Sequence, residues 1–105
     1  HALPAAMWPG MASAQFARDA YMAKILREHA EGGIVLLAGN GHVRGDLGVP
    51  QWLTAAERAR LFAVGYLESE DTRTLDGAFD VIVRTATAPR ADPCSGFAAR
   101  QKRKQ

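Results

Sequence analysis

The sequence predicts an α/β fold: a partial, mostly parallel sheet of about three strands with one long helix packed on it. Three observations predict it. A helical pattern runs from about residue 14 to residue 31 and stops at Gly32-Gly33. An unbroken apolar run of strand length, Ile34-Val35-Leu36-Leu37-Ala38, follows between glycines. Two further strand-length runs, Leu61–Leu67 and Phe79–Thr85, come after a short helical signal, so the order is α-β-(α)-β-β.

Each element has a local reason. Residues 1–12 hold Pro4, Pro9 and Gly10 and read as an irregular lead-in. Ser13 is a suitable N-cap for the long helix, because its hydroxyl can accept from an orphan N–H of the first turn. Gly39 to Pro50 is a glycine-dense loop. Thr54 and Glu57 have the spacing of a capping box, which favours a short helix through Arg60. Gly65 weakens a continuation of that helix, so Leu61–Leu67 is expected as the second strand. Glu68 to Gly77 is a polar loop, Phe79–Thr85 the third strand, and Pro89 onward irregular, ending in a basic flexible tail over 97–105.

Composition narrows the function classes. At 105 residues, 48% hydrophobic and 23% charged, the chain suits one globular domain or less. No apolar run approaches the ~20 residues of a membrane-spanning helix. The single Cys94 excludes an intrachain disulfide and a cysteine zinc cage. Arg100, Lys102, Arg103 and Lys104 lie in the last six positions, so nine basic groups face 11 acidic ones in the body. A basic tail on a mildly acidic body is not a nucleic-acid surface. The residues contain no targeting segment from which a compartment could be read.

On a helical wheel, Lys24, Arg27, Glu28 and Glu31 share the solvent face, while Met22, Ala23, Ile25 and Leu26 form the core stripe. Gln15, Arg18 and Asp19 fall on that inward face as well, where polar groups need partners or a wet cavity. A helix joined to a strand by two glycines folds back along it, so its first half approaches the strand's carboxyl end. Gln15, Arg18 and Asp19 are therefore expected beside Gly39, Asn40, Gly41 and His42. Ligands of open α/β sheets bind at such strand ends, and a helix start favours an anion.

His42 is the centre of this expected site. An imidazole can ligate a metal, hold an anion or move a proton; the plain alternative is a histidine bonded to loop backbone. Arg44 is either a further ligand contact or an exposed salt pair with Asp46. Met22 belongs to the core wall, and His29, on the inward face at the far end of the helix, is read as structural. Gly39-Asn40-Gly41 is not a dinucleotide fingerprint, because the third glycine is Gly45 and Pro50 interrupts any long helix. No phosphate loop, hydrolase triad or His-Glu-x-x-His is present.

Gln15-x-x-Arg18-Asp19-x-x-Met22-Ala23, then Leu37-Ala38-Gly39-Asn40-Gly41-His42-Val43-Arg44 and Gly48-Val49-Pro50, resemble the ChaN-type haem-binding uptake family of the Tiki superfamily. Phe79-Asp80 and Thr87-x-Pro89-Arg90-x-Asp92-Pro93-Cys94 resemble that family's last strand and tail, so the similarity spans about residues 13–96. The resemblance implies an α/β domain of bacterial haem or iron uptake, in the periplasm or anchored to the outer membrane as a lipoprotein. It implies an earlier half with a Gly-Glu-x-His motif, which makes this chain the C-terminal portion of an incomplete domain. Any lipid anchor would sit on that earlier part. Haem binding at a homodimer with a tyrosine iron ligand is also implied. Of the two tyrosines, Tyr21 points partly away from the Asp19 face, and Tyr66 lies in a strand where packing is its ordinary role.

The function expected is haem binding rather than catalysis. His42 would meet iron or a propionate, and is the one metal-ligand candidate. Arg18 would hold negative charge, and Met22 with Leu26 would form apolar wall. The alternative is a metal-dependent hydrolase of the wider superfamily, with His42 as ligand and Asp19 as ligand or base.

Overall fold

The computed structural model describes residues 4–73 and 75–92, so the expected basic tail lies outside the described residues. One 3₁₀ turn (Ala5–Met7) leads directly into the long helix α1 (Trp8–Glu28). The helix thus starts before Ser13, and the expected irregular lead-in is largely helical. The reason is Pro9, which occupies the first turn of α1. There its missing N–H costs nothing and its fixed φ suits the helix, so it initiates where the sequence reading took it to interrupt. The helix closes with the His29 N–H donating to the Ile25 carbonyl at 3.1 Å. Gly32 and Gly33 then turn the chain at φ +85° and +93°, a region open to glycine without strain. His29, expected on the inward face, is exposed at this cap.

Burial along α1 follows the predicted stripe. Ala23 is fully buried and clusters with Val49 and Leu53, while Met22, Leu26, Leu36 and Leu61 pack around them. Val49 and Leu53 arrive from a 3₁₀ turn (Val49–Trp52) that lies against α1. The solvent-face residue Arg27 has a second role. Its Nε donates to Glu57 Oε1 at 2.6 Å and its Nη2 to Glu57 Oε2 at 3.1 Å and to the Trp52 carbonyl at 3.3 Å. Glu57 sits in the one-turn helix α3 (Ala55–Arg58), which carries the full predicted capping box. Thr54 N–H donates to Glu57 Oε2 at 2.7 Å, and Glu57 N–H donates to Thr54 Oγ1 at 3.2 Å.

Strands β1 (Val64–Glu68) and β2 (Val81–Thr85) form a parallel pair with Val64 opposite Val81 and Glu68 opposite Thr85. Asp80 Oδ2 accepts from the Ala63 N–H at 2.6 Å and fixes the start of this register. A Cβ on Gly65 would lie 2.8 Å from the Phe79 ring, so the ring occupies the place of a side chain on β1.

The class is therefore α/β, but the sheet has two strands among the described residues rather than about three. The expected first strand, Ile34–Ala38, joins no ladder. It keeps a strand-like alternation at its end: Leu36 packs on the core and Ala38 is half-buried, whereas Val35 and Leu37 are 92% and 94% exposed. An apolar run becomes a strand only when a neighbour supplies hydrogen-bond partners, and no described residue does so here.

Candidate functional site

The Gly39–Arg44 segment is a single helical turn, α2 (Asn40–Val43), rather than open loop. The His42 N–H donates to the Gly39 carbonyl at 2.8 Å, which starts the turn. Asn40 Nδ2 donates to the Tyr66 carbonyl at 2.6 Å and so ties α2 to β1. From the other side Gly48 closes on it. A Cβ there would lie 2.1 Å from the His42 carbonyl oxygen, so only glycine lets the two backbones meet. The Gly48 N–H donates to the Arg44 carbonyl at 3.0 Å, and the Gly45 N–H to the Ala78 carbonyl at 2.6 Å. His42 is thus presented on a short turn held by β1, by the loop after it and by residue 78.

What faces His42 is the first half of α1, as the fold-back argument anticipates. His42 Nδ1 lies 2.6 Å from Asp19 Oδ1. Asp19 is 3% exposed and is the one buried charged residue among those described. An unpaired carboxylate at that depth would be costly, so the imidazole is the compensation for its burial. Beside this pair lies an open cavity of about 460 Å³ lined by Ala17, Arg18, Tyr21, Met22 and His42.

The predicted residues divide clearly. Asp19, Arg18, Met22 and His42 come together. Gln15 is half-buried on α1 but does not line the cavity. Gly39 caps α2, the Asn40 amide is occupied by the Tyr66 carbonyl, and Gly41 is exposed with open space around it. Arg44 donates to both carboxylate oxygens of Asp46 at 2.6 Å, so the salt-pair reading describes it. Its guanidinium holds the Asp46 carboxyl below the usual range, which keeps that pair charged and Arg44 committed. Arg18 is different. It is exposed at the cavity and makes no ion pair among the described residues.

Two lining residues lie outside the site expected from sequence: Ala17, and Tyr21, which the wheel turns partly away from the Asp19 face. The signal was present. Positions 17, 18, 21 and 22 form adjacent i,i+4 pairs, a stripe next to the one that carries Asp19 and Ala23. Tyr21 turns from the Asp19 face, as the wheel indicates, yet that turn brings it to the cavity wall.

Among known proteins, the family described as haem-binding uptake, Tiki superfamily, ChaN matches residues 1–53. That span contains α1, Asp19, the His42 turn and Val49–Leu53, and stops before the sheet. No curated protein and no solved structure matches the chain.

Proposed function

Because this chain belongs to the ChaN haem-binding uptake family of the Tiki superfamily, we propose that it binds haem in the cavity between α1 and α2. The observation that carries this reading is one open cavity offering a carboxylate-backed imidazole, a phenol and a guanidinium with no ion pair among the described residues, beside apolar wall. Its volume of about 460 Å³ falls within the ~300–1,000 Å³ usual for small-molecule sites.

The donor chemistry fits the group. When bound, haem supplies an iron that takes an axial donor and two propionates that take cations. Ala17 and Met22 would lie against the ring, and Arg18 would meet a propionate. His42 would meet the iron or the second propionate. Tyr21 adds a phenol to the cavity wall.

The cavity is open on one side, so a complete haem site needs a further wall. On this reading that wall comes from an upstream part of the domain or from a second copy in a homodimer. On the same reading the protein works in the periplasm or at the outer membrane through a lipid anchor. The hydrolase reading is less favoured, because the described residues contain no group of three or more His, Cys, Asp or Glu able to hold a metal.

The test is a haemin titration followed by absorbance on this chain and on a form extended upstream. A saturable, shifted Soret band in either form supports the reading, and its absence from both refutes it. In the form that binds, His42→Ala is expected to weaken affinity by tenfold or more, about 1.4 kcal/mol. Unchanged affinity and spectrum would remove His42 from the site.

A further inference from the structure

Buried carboxylates beside histidines decide which ring nitrogen carries the proton, and here the geometry leaves little freedom. Asp19 projects from the middle of α1, one turn before the fully buried Ala23, with its side chain 4% exposed. His42 is held from both sides of its own backbone: its N–H is spent on Gly39, and its carbonyl abuts Gly48 with no room for a side chain. Asn40, two residues earlier, is bonded to β1. Neither partner can move far from the 2.6 Å Nδ1–Oδ1 contact without disturbing the helix core or the turn.

An ionised carboxylate is an acceptor only, so the proton of this bond sits on Nδ1. We propose that Asp19 is a positioning residue: it holds His42 in the Nδ1–H tautomer and keeps Nε2 as an unprotonated lone-pair donor for the cavity. This rests on the reading of that cavity as the haem site, with the iron rather than a propionate as the group that His42 meets. In water a neutral imidazole prefers its proton on Nε2, which would present an N–H where a donor atom is needed. Asp19 reverses the preference before any ligand arrives. A carboxylate behind the ring is the arrangement that orients metal-bound histidines in general.

The assignment separates the buried carboxylate from the exposed cation of the same helix. Arg18 meets the ligand directly, whereas Asp19 acts through His42. Asp19→Asn is the discriminating variant. Its amide can donate, so it satisfies a Nδ1 lone pair and releases the proton to Nε2, while shape and burial stay the same.

The experiment is nitrogen-resolved NMR of the histidine ring in the full 105-residue chain without haem, paired with haemin titration. The wild-type chain is expected to show His42 protonated on Nδ1 and bare on Nε2, and D19N to show the reverse. Where the wild type binds haemin, D19N is expected to bind about 10–100-fold more weakly. Wild-type His42 protonated on Nε2 would overturn the proposal, and so would D19N with unchanged tautomer or unchanged affinity. If D19N does not fold, the wild-type ring spectrum decides. A Nδ1–H ring in a chain that binds haemin neither by itself nor in the form extended upstream would uphold the tautomer assignment and refute the haem reading, so the two failures are distinguishable.

Discussion

Gly41 and Gly48 lie seven positions apart in one glycine-rich segment, yet replacing each by alanine is predicted to have effects of opposite sign. At Gly41 an added Cβ meets nothing within 4 Å, and the residue lies inside α2. Alanine should therefore be neutral or stabilise by up to about 1 kcal/mol, through helix propensity alone. At Gly48 the added Cβ would lie 2.1 Å from the His42 carbonyl oxygen and 2.5 Å from its carbon. Ordinary carbon–oxygen contacts sit near 3.3 Å, so the two backbones would have to part by roughly 1.2 Å. No flexible side-chain end can absorb that shift, because both partners are main chain. The cost belongs at the upper end of the ~1–3 kcal/mol typical of overpacking. For a chain of this size that corresponds to a melting temperature lower by roughly 10 °C or more. The displaced residue is His42 itself, so the bond to Asp19 should lengthen as well. Urea melts of wild type, G41A and G48A check the ranking, and the His42 ring spectrum reports the displacement. A G48A chain as stable as G41A would refute the close-approach argument.

Two further predictions concern the packing that positions the site. Glu57 is pushed down to about 2, first by its hydrogen bond from Arg27 and then by the Thr54 N–H. A carboxyl lowered on folding adds stability above its unfolded value near 4.5 and loses it as the pH falls toward 2. The stability difference between wild type and Glu57→Gln should accordingly be constant above about pH 5 and vanish near pH 2. It should also shrink in high salt, because the pair is solvent-exposed; acid titrations followed by circular dichroism check both. In the Ile34–Ala38 run, Val35→Thr and Leu37→Thr should each change stability by less than about 0.5 kcal/mol, since both side chains are exposed. Leu36→Ala should cost about 1–2 kcal/mol, less than a fully buried leucine, because Leu36 is a half-buried part of the core. Equal effects at all three positions in a denaturant series would mean the alternation is absent in solution.

Local signals were read well from the sequence. The two-glycine stop, the Thr54–Glu57 capping box, the stripe of Met22, Ala23 and Leu26, and the approach of Asp19 to His42 all rest on periodicity or on a turn of a few residues. The start of α1 is hidden for an equally local reason: a proline has the signature of a breaker unless it falls in the first turn, as Pro9 does.

The sequence by itself brought Asp19, with Gln15 and Arg18, toward the histidine beyond the glycine-bounded run, and the structure pairs Asp19 with it. An acid placed on a core face at i−4 from Ala23 has no other inexpensive fate. Only the tertiary structure decided which groups share the cavity with that histidine. Ala17 and Tyr21 join Arg18 and Met22 at its wall, while Arg44 is drawn away by Asp46. Tertiary structure also decided the fate of Ile34–Ala38, which has the composition of a strand but no ladder among the described residues. Composition sets what a segment can bury, but strand pairing is a contract between two segments, and the chain around a segment settles whether the second is there.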